Sequence, residues 1–362
     1  LTVDDLPTPA VVVDLDVLER NIGRMAARAR DAGVRLRPHA KTHKSPEIAH
    51  LQLAAGAGGI TVAKTSEAEV FAEAGFDDIF VAYPVVGADK ARRLRELARR
   101  VRLAVGADSA EGAAILAAPF REAGAVLDVM MKVDVGLHRV GVAPEGAVAL
   151  ARAIAGLRGL RLRGIFTHAG HAYGGETPEA VLAVARTEGG TLARVAADLA
   201  AAGFDGLEVS VGSTPTAPEA MRVEGVTECR PGNYVYHDAS QVSLGTCTLD
   251  DCAMTVVATV VSVPAAGRAV LDAGSKTVST DPLRPTPGGY GWVLGTKSRL
   301  SRMSEEHGVV DVVEGDRFSV GQRVRVLPNH ACVVSNLHDA VYGARGGRIE
   351  RTLPIAARGR IT

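Results

Sequence analysis

Lys41 stands in the stretch RPHAKTHK (residues 37–44), directly after an apolar run that reads as a buried strand. A lysine at the mouth of an apolar layer loses hydration, which lowers its pKa and frees the amine as a nucleophile. A surface lysine beside Lys44 is the alternative. Two loops of small residues could cradle an anion. VGSTPT (211–216) offers Gly212, Ser213 and Thr214, and RPGNY (230–234) offers Gly232 and Asn233. Backbone N–H groups and hydroxyls on such φ-tolerant segments form anion-binding concavities, although ordinary turns share the composition. Arg139, in VDVGLHRVG, could donate to a ring nitrogen, and Tyr173, in HAGHAYGG, could stack on a ring or hydrogen-bond it. Either could also be a surface or packing residue. In PNHACVV, His330 and Cys332 are i and i+2 on an expected strand end, so both point to one face. Imidazole plus thiolate suits zinc, with the remaining positions open to water or substrate. A satisfied histidine and a buried cysteine is the plainer reading of that spacing. His338 and Asp339 just downstream could support the pair or form a polar turn.

The elements that must position these groups alternate. VRLRPHA, GITVA, DIFVAYP, VRLAVG, VLDVMMKVDVG, LRGIFTH, LEVSVG and VTECRPG are short β-rich runs separated by Ala/Leu/Arg/Glu segments with helical spacing. Eight such strands predict a (β/α)8 barrel with parallel pairing. Its last helix is the weak point, because the sequence after PGNYVYHD is not helical in pattern. From about residue 245 the texture changes to short strands between Gly, Pro and charged turns, as in CAMTVVATVVSVPAAGRAVLDAG, HGVVDVV, QRVRVLP and RIERTLPIAARGRI. These predict a mostly antiparallel β domain. We place the barrel at residues 10–240 and the β domain at 241–362 with about 1–9, although the opening strand in TPAVVVDL could join either. In a barrel, Lys41 follows the first strand, and the two small-residue loops follow the seventh and eighth, where barrels hold phosphate. A reactive lysine plus a phosphate cup suggests pyridoxal 5'-phosphate (PLP).

Bulk properties agree with a globular enzyme of 362 residues, 47% apolar and 23% charged. Basic and acidic residues balance at 41 each, so no charge surplus points to nucleic acid. No apolar stretch of membrane-spanning length occurs, and LTVDDLPTPA has no signal-peptide pattern. Cys229, Cys247, Cys252 and Cys332 form no disulfide framework, so a reducing, cytoplasmic setting is expected.

Taken in order, RPHAKTHK, VDVGLHRVG, HAGHAYGG, GSTPT, ECRPGNYVYHD and PNHACVV resemble the D-serine dehydratase and D-threonine aldolase family. Its members share with alanine racemase a PLP-binding (β/α)8 barrel followed by a β domain. The resemblance covers nearly the whole chain. It implies that Lys41 is the Schiff-base lysine and that Arg139 faces the pyridine nitrogen. Tyr173, Thr214, Gly232 and Asn233 are then cofactor and phosphate contacts. His330 and Cys332 hold a divalent metal, zinc first and manganese second. Dehydratases of D-serine and D-3-hydroxyaspartate show His-x-Cys, and the aldolases show His-x-Asp. The implied reaction is therefore elimination of water from a small D-β-hydroxy amino acid, giving a 2-oxo acid and ammonia. Retro-aldol cleavage to glycine and an aldehyde ranks second. A racemase, with Tyr290 or Tyr342 as second acid–base, and a non-catalytic PLP-binding protein are more remote. One departure stands out: the dehydratases tend to carry tyrosine where this chain has Phe166. The resemblance also implies a homodimer.

Overall fold

The computed structural model describes residues 1–283 and 288–362. The first half of the chain runs β1 (Ala10–Asp14), α1 (Leu15–Asp31), β2 (Arg35–Leu36), α2 (Pro46–Ala54), β3 (Ile60–Val62), α3 (Thr65–Glu73), β4 (Asp78–Pro84), α4 (Ala88–Leu97), β5 (Arg102–Ala107) and α5 (Ala110–Glu122). It continues β6 (Leu127–Lys132), α6 (Ala147–Ala155), β7 (Leu160–Phe166), α7 (Pro178–Ala201), β8 (Glu208–Val211), α8 (Ala217–Ala220), β9 (Glu228–Cys229) and α9 (Ala239–Ser243). Then follow β10 (Met254–Ala265), β11 (Arg268–Leu271), β12 (Gly291–Val293), β13 (Arg299–Met303), β14 (Gly308–Asp311), β15 (Arg323–Pro328), α10 (Ala331–Leu337), β16 (Ala340–Arg345) and β17 (Arg348–Pro354).

The eight strands β2 to β9 form one parallel sheet, and the His39–Thr61 bridge joins its two ends. All eight runs expected from the sequence supply these strands. Alternation sorts their side chains. Ile79, Val81, Leu103, Val105, Val129, Met131, Ile165 and Val209 face the helices in the main core. The intervening Phe80, Ala104, Met130 and Phe166 make a small apolar layer inside the barrel. Near the strand starts lies a charged floor. Arg37 donates to Glu228 at 2.8 Å and to Asp78 at 2.5 Å, and Arg35 pairs with Glu208 and Glu228, each at 2.8 Å. Burial alone would raise the Glu228 pKa, but Arg37 and Arg35 hold it below the ordinary carboxylate value. The apolar layer then separates this compensated floor from the mouth.

No long helix follows β9, as the pattern implied. In its place α1 packs on β2, α2 and the turn at 233–235. Asn21 fastens it there, its Nδ2 donating to Val235 O at 3.3 Å and Asp251 O at 2.8 Å. Asp14 starts α1 by accepting from Val17 N at 3.1 Å. The strand before it, β1, belongs to the second sheet and not to the barrel. It pairs antiparallel with β10 and parallel with β16.

That second sheet has nine strands in the order β11-β14-β13-β12-β15-β10-β1-β16-β17, and a further β10–β11 pairing closes six of them into a ring. All its neighbouring pairs are antiparallel except β1–β16. PNHACVV departs from the expected strand end. The strand β15 stops at Pro328, and α10 begins with Ala331. Asp238, from the end of the barrel segment, accepts the Ala331 N–H at 3.0 Å and so caps α10 from outside. That tertiary cap outweighs the strand preference of Val333 and Val334. No helix among the described residues is long and apolar enough to cross a membrane.

Candidate active site

Lys41 sits in a short 3-10 turn (Ala40–Thr42) at the end of β2, where the His39 ring accepts its backbone N–H at 3.4 Å. Its amine differs from that of Lys44. Lys44 is buried, with Nζ 3.1 Å from Glu67 and 2.9 Å from Asn336 Oδ1. Lys41 is half-buried and makes no ion pair among the described residues. Desolvation, then Arg139 and Arg230, lower its pKa against the opposing pull of Cys332 and Glu67. The two lysines thus differ in charge environment: Lys44 is ion-paired and Lys41 is not.

Around it the barrel mouth is cationic. Lys132 ends β6, buried, with Nζ 4.7 Å above the Phe166 ring and no carboxylate partner among the described residues. Burial first, then Arg230 and Arg139, bring it down to about 7. Arg230 is buried beneath the cup, its Nε donating to Ser210 Oγ at 2.7 Å and its guanidinium also to Thr167 O. His39 and His168 are held neutral, far below the usual histidine value, by burial and by Lys41. Arg139 is exposed at the rim and acts on Lys41, Lys132 and His168 through its charge. Its loop is set by Asp134, whose carboxylate accepts the N–H groups of Gly136, Leu137 and His138 at 3.0–3.1 Å. Sequence reasoning missed Lys132, Arg230, His39 and His168. The first carried the same signal as Lys41, a lysine closing an apolar strand.

The two small-residue loops meet. Gly212, with φ +113°, donates to the buried Glu188 at 2.9 Å, and Thr216 Oγ1 donates to the same carboxylate at 2.6 Å. Ser213 closes the loop onto Thr216. Thr214 Oγ1 then accepts Tyr234 N–H from the second loop at 3.0 Å. The N–H groups of Thr214, Gly232 and Asn233 find no acceptor among the described residues, and Asn233 Oδ1 is buried without a donor. At Gly232 a Cβ would lie 2.8 Å from Thr42 Oγ1 and 2.9 Å from His39 O, so only glycine brings this backbone so close to the Lys41 turn. Tyr173 lies near the same loops, where burial, then Asp238 and Cys332, raise its pKa against the pull of Gln241 and Thr214.

His330 and Cys332 also arrive here. Cys332 Sγ lies 3.3 Å from Thr42 Oγ1, one residue beyond Lys41. Burial would raise the Cys332 pKa, but the hydrogen-bonded His330, then Lys41 and Thr42, bring it below the ordinary thiol value. His330 rises well above its usual value beside the Cys332 sulfur, and its Nδ1 is 2.6 Å from Asp281 Oδ2. The two meet because His330 precedes α10 and Cys332 lies in its first turn, not because a strand aligns them. His338 bonds Thr277 O at 3.1 Å and Asp339 pairs with Arg358, so neither supports the pair. Asp281 does, and nothing in the sequence near His330 signals it.

The residues fit the two groups the sequence suggested. Unfilled N–H donors and surplus cations around an unpaired Lys41 suit a phosphorylated aldehyde. An imidazole steered by a carboxylate, next to a thiolate, suits a divalent metal, with Nε2 left for coordination. Among the described residues no group of three or more His, Cys, Asp or Glu converges, so protein atoms alone would leave coordination positions open.

Comparison with known proteins agrees. The chain is 41% identical over 347 residues to D-threo-3-hydroxyaspartate dehydratase of Delftia sp. (strain HT23), covering 90% of this chain and 91% of that one. It is 36% identical over 358 residues to D-threonine aldolase of an Arthrobacter species, covering 97% and 93%. Two solved structures of D-threo-3-hydroxyaspartate dehydratase variants match closely. A histidine-to-alanine variant gives a TM-score of 0.92 at 38% identity, covering 98% of this chain and 96% of that one. A cysteine-to-alanine variant in the metal-free form gives 0.91 at 39%, covering 98% of each. The second domain matches the family described as "Putative serine dehydratase domain" over residues 253–344. With the match to "Alanine racemase, N-terminal domain" over residues 13–240, the chain belongs to the alanine racemase-like family, whose relatives named here are lyases, dehydratases and aldolases alike.

Proposed function

We propose that this chain is a PLP- and divalent-metal-dependent lyase that removes water from D-β-hydroxy amino acids, giving a 2-oxo acid and ammonia. The observation that carries this reading is the convergence at Thr42: an unpaired Lys41 on one side, the Cys332 sulfur 3.3 Å away on the other. Lys41 would be the covalent attachment point of PLP, with Thr214, Gly232 and Asn233 on the phosphate, Arg139 toward the pyridine nitrogen and Tyr173 against the ring. When bound, PLP supplies an electron sink for the charge left at Cα. The Lys41 amine would take the α proton, and burial with Arg139 and Arg230 lowers its pKa in the direction that role needs. His330 and Cys332 would hold the metal, a Lewis acid for the departing hydroxyl. The histidine and cysteine replaced in the two solved dehydratase variants stand two positions apart, as His330 and Cys332 do. The phosphate, phenolate and carboxylates of cofactor and substrate are the anions the cationic mouth lacks.

Retro-aldol cleavage is the second reading, favoured by the aldolase relative, and Cys332 argues against it. Incubation with D-threonine separates the two. Elimination yields 2-oxobutanoate and ammonia; glycine and acetaldehyde would overturn it. D-Serine and D-3-hydroxyaspartate run alongside rank the β substituent, and inertness toward all three would reject the lyase reading. We further propose a homodimer, tested by mass in solution; a monomeric holo-protein contradicts that.

A further inference from the structure

Lys44 is a buried lysine just beyond Lys41 that the proposed chemistry does not use. Its N–H returns to Ala40 O at 2.8 Å and so closes the turn that holds Lys41. Its backbone is left-handed, with φ 51°, a conformation that a residue with a Cβ adopts at a cost. The partners of Lys44 offset that cost. Its carbonyl accepts Ala357 N–H at 3.0 Å. Its Nζ reaches Glu67 Oε1 at 3.1 Å and Asn336 Oδ1 at 2.9 Å. Glu67 also accepts Ala63 N–H, just past β3, at 2.7 Å, and Asn336 accepts Gly359 N–H at 3.2 Å. One side chain thus ties the barrel rim to the second domain. Asn336 lies on α10 one turn after Cys332, and residues i and i+4 share a helix face. That face docks on the Lys41 turn at two points, Cys332 Sγ on Thr42 Oγ1 at 3.3 Å and Asn336 Oδ1 on Lys44 Nζ at 2.9 Å. A helix held at one point can rotate or slide; two points one turn apart fix both.

We propose that Lys44 is a positioning residue: through Asn336 it sets the register of α10, and with it Cys332, against the turn that carries Lys41. The inference rests on the lyase reading above and deepens it, because it names what holds the PLP lysine and the metal pair in one frame. In that reading Cys332 gives its sulfur to the metal, and the Lys44–Asn336 bond is the docking point with no part in the chemistry. A change at Asn336 therefore alters the binding of both groups, although its side chain is placed on neither.

The test is a double-mutant cycle on the full chain with PLP and zinc: the parent, Asn336→Ala, Lys44→Met and the two changes together. PLP affinity is read by spectral titration and zinc affinity by chelator competition. Asn336→Ala leaves the Lys44–Glu67 pair in place and should weaken both affinities roughly fivefold. In the Lys44→Met background the same change should cost far less, because only the bond from Gly359 remains to be lost. An Asn336→Ala protein that binds both groups as the parent does, or that loses only one of them, overturns the proposal, as does an equal loss in the two backgrounds. Asn336→Ala decides even where Lys44→Met does not fold. A parent chain that fails to bind PLP, or zinc, rejects the lyase reading and this inference with it. A parent that binds both, with Asn336→Ala unchanged, rejects this inference alone.

Discussion

Lys132 carries a cost that can be measured. It is 4% exposed, lies under the mouth where Arg230 and Arg139 outweigh Glu188 and Asp134, and has no ion pair among the described residues. Its pKa falls from an ordinary 10.5 to about 7 on folding. Between those two values the unfolded chain binds the proton and the folded chain does not, so stability rises with pH across that window. By linkage the penalty is about 4 kcal/mol at pH 7 and shrinks to about 1 kcal/mol at pH 10. Lys132→Met keeps the length of the side chain and removes the charge. It loses the contact over Phe166, worth about 1 kcal/mol. In urea unfolding of the cofactor-free proteins, the variant should be more stable than the parent by about 3 kcal/mol at pH 7. That advantage should vanish near pH 10. Cofactor added to the parent should narrow the gap at pH 7 if, as proposed, it binds at this mouth and brings its negative charge to the cluster. A gap that does not change between pH 7 and pH 10, or a variant less stable at pH 7, refutes the reasoning.

Three further outcomes follow from the cup and the metal pair. Glu188→Ala frees Gly212 N–H and Thr216, and PLP affinity measured by equilibrium dialysis should fall roughly tenfold, the worth of about 1–2 kcal/mol of lost hydrogen bonding. Gly232→Ala puts a Cβ against Thr42 and the His39 carbonyl, and spectral titration should show PLP binding lost while far-UV circular dichroism is unchanged. Asp281→Asn removes the carboxylate that orients His330, and chelator competition should show zinc held about 10–100-fold more weakly, with PLP absorbance retained.

The eight barrel strands were legible because each combines an apolar run with a helical spacer, and Lys41 because it breaks such a run. The β domain was legible in kind, but its short strands were not. Gly291–Val293 and Arg299–Met303 pair with each other across a short connection, but they lie in a Gly- and charge-rich stretch with too few apolar residues to mark a strand. The first turn of α10 was read as a strand because its cap, Asp238, lies 93 residues away. Asp281 escaped for the same reason, reaching His330 across 49 residues. Arg230 stands in RPGNY, where the anion-binding signal comes from its small neighbours Gly232 and Asn233. Phe166 gained a structural account: a Cβ at Gly106 would lie 2.9 Å from its ring tip, so glycine there makes room for the phenyl group inside the barrel. Lys132 Nζ lies 4.7 Å and Arg230 Cζ 5.2 Å from its ring centroid.

The most direct measurement is chemical. Holo-protein is reduced with borohydride, digested and mapped by mass spectrometry. The account predicts a phosphopyridoxyl group on the ε-nitrogen of Lys41, with Lys44 and Lys132 unmodified. A phosphopyridoxyl label on either of those lysines, or none on Lys41 in protein that retains its visible absorbance, would contradict it.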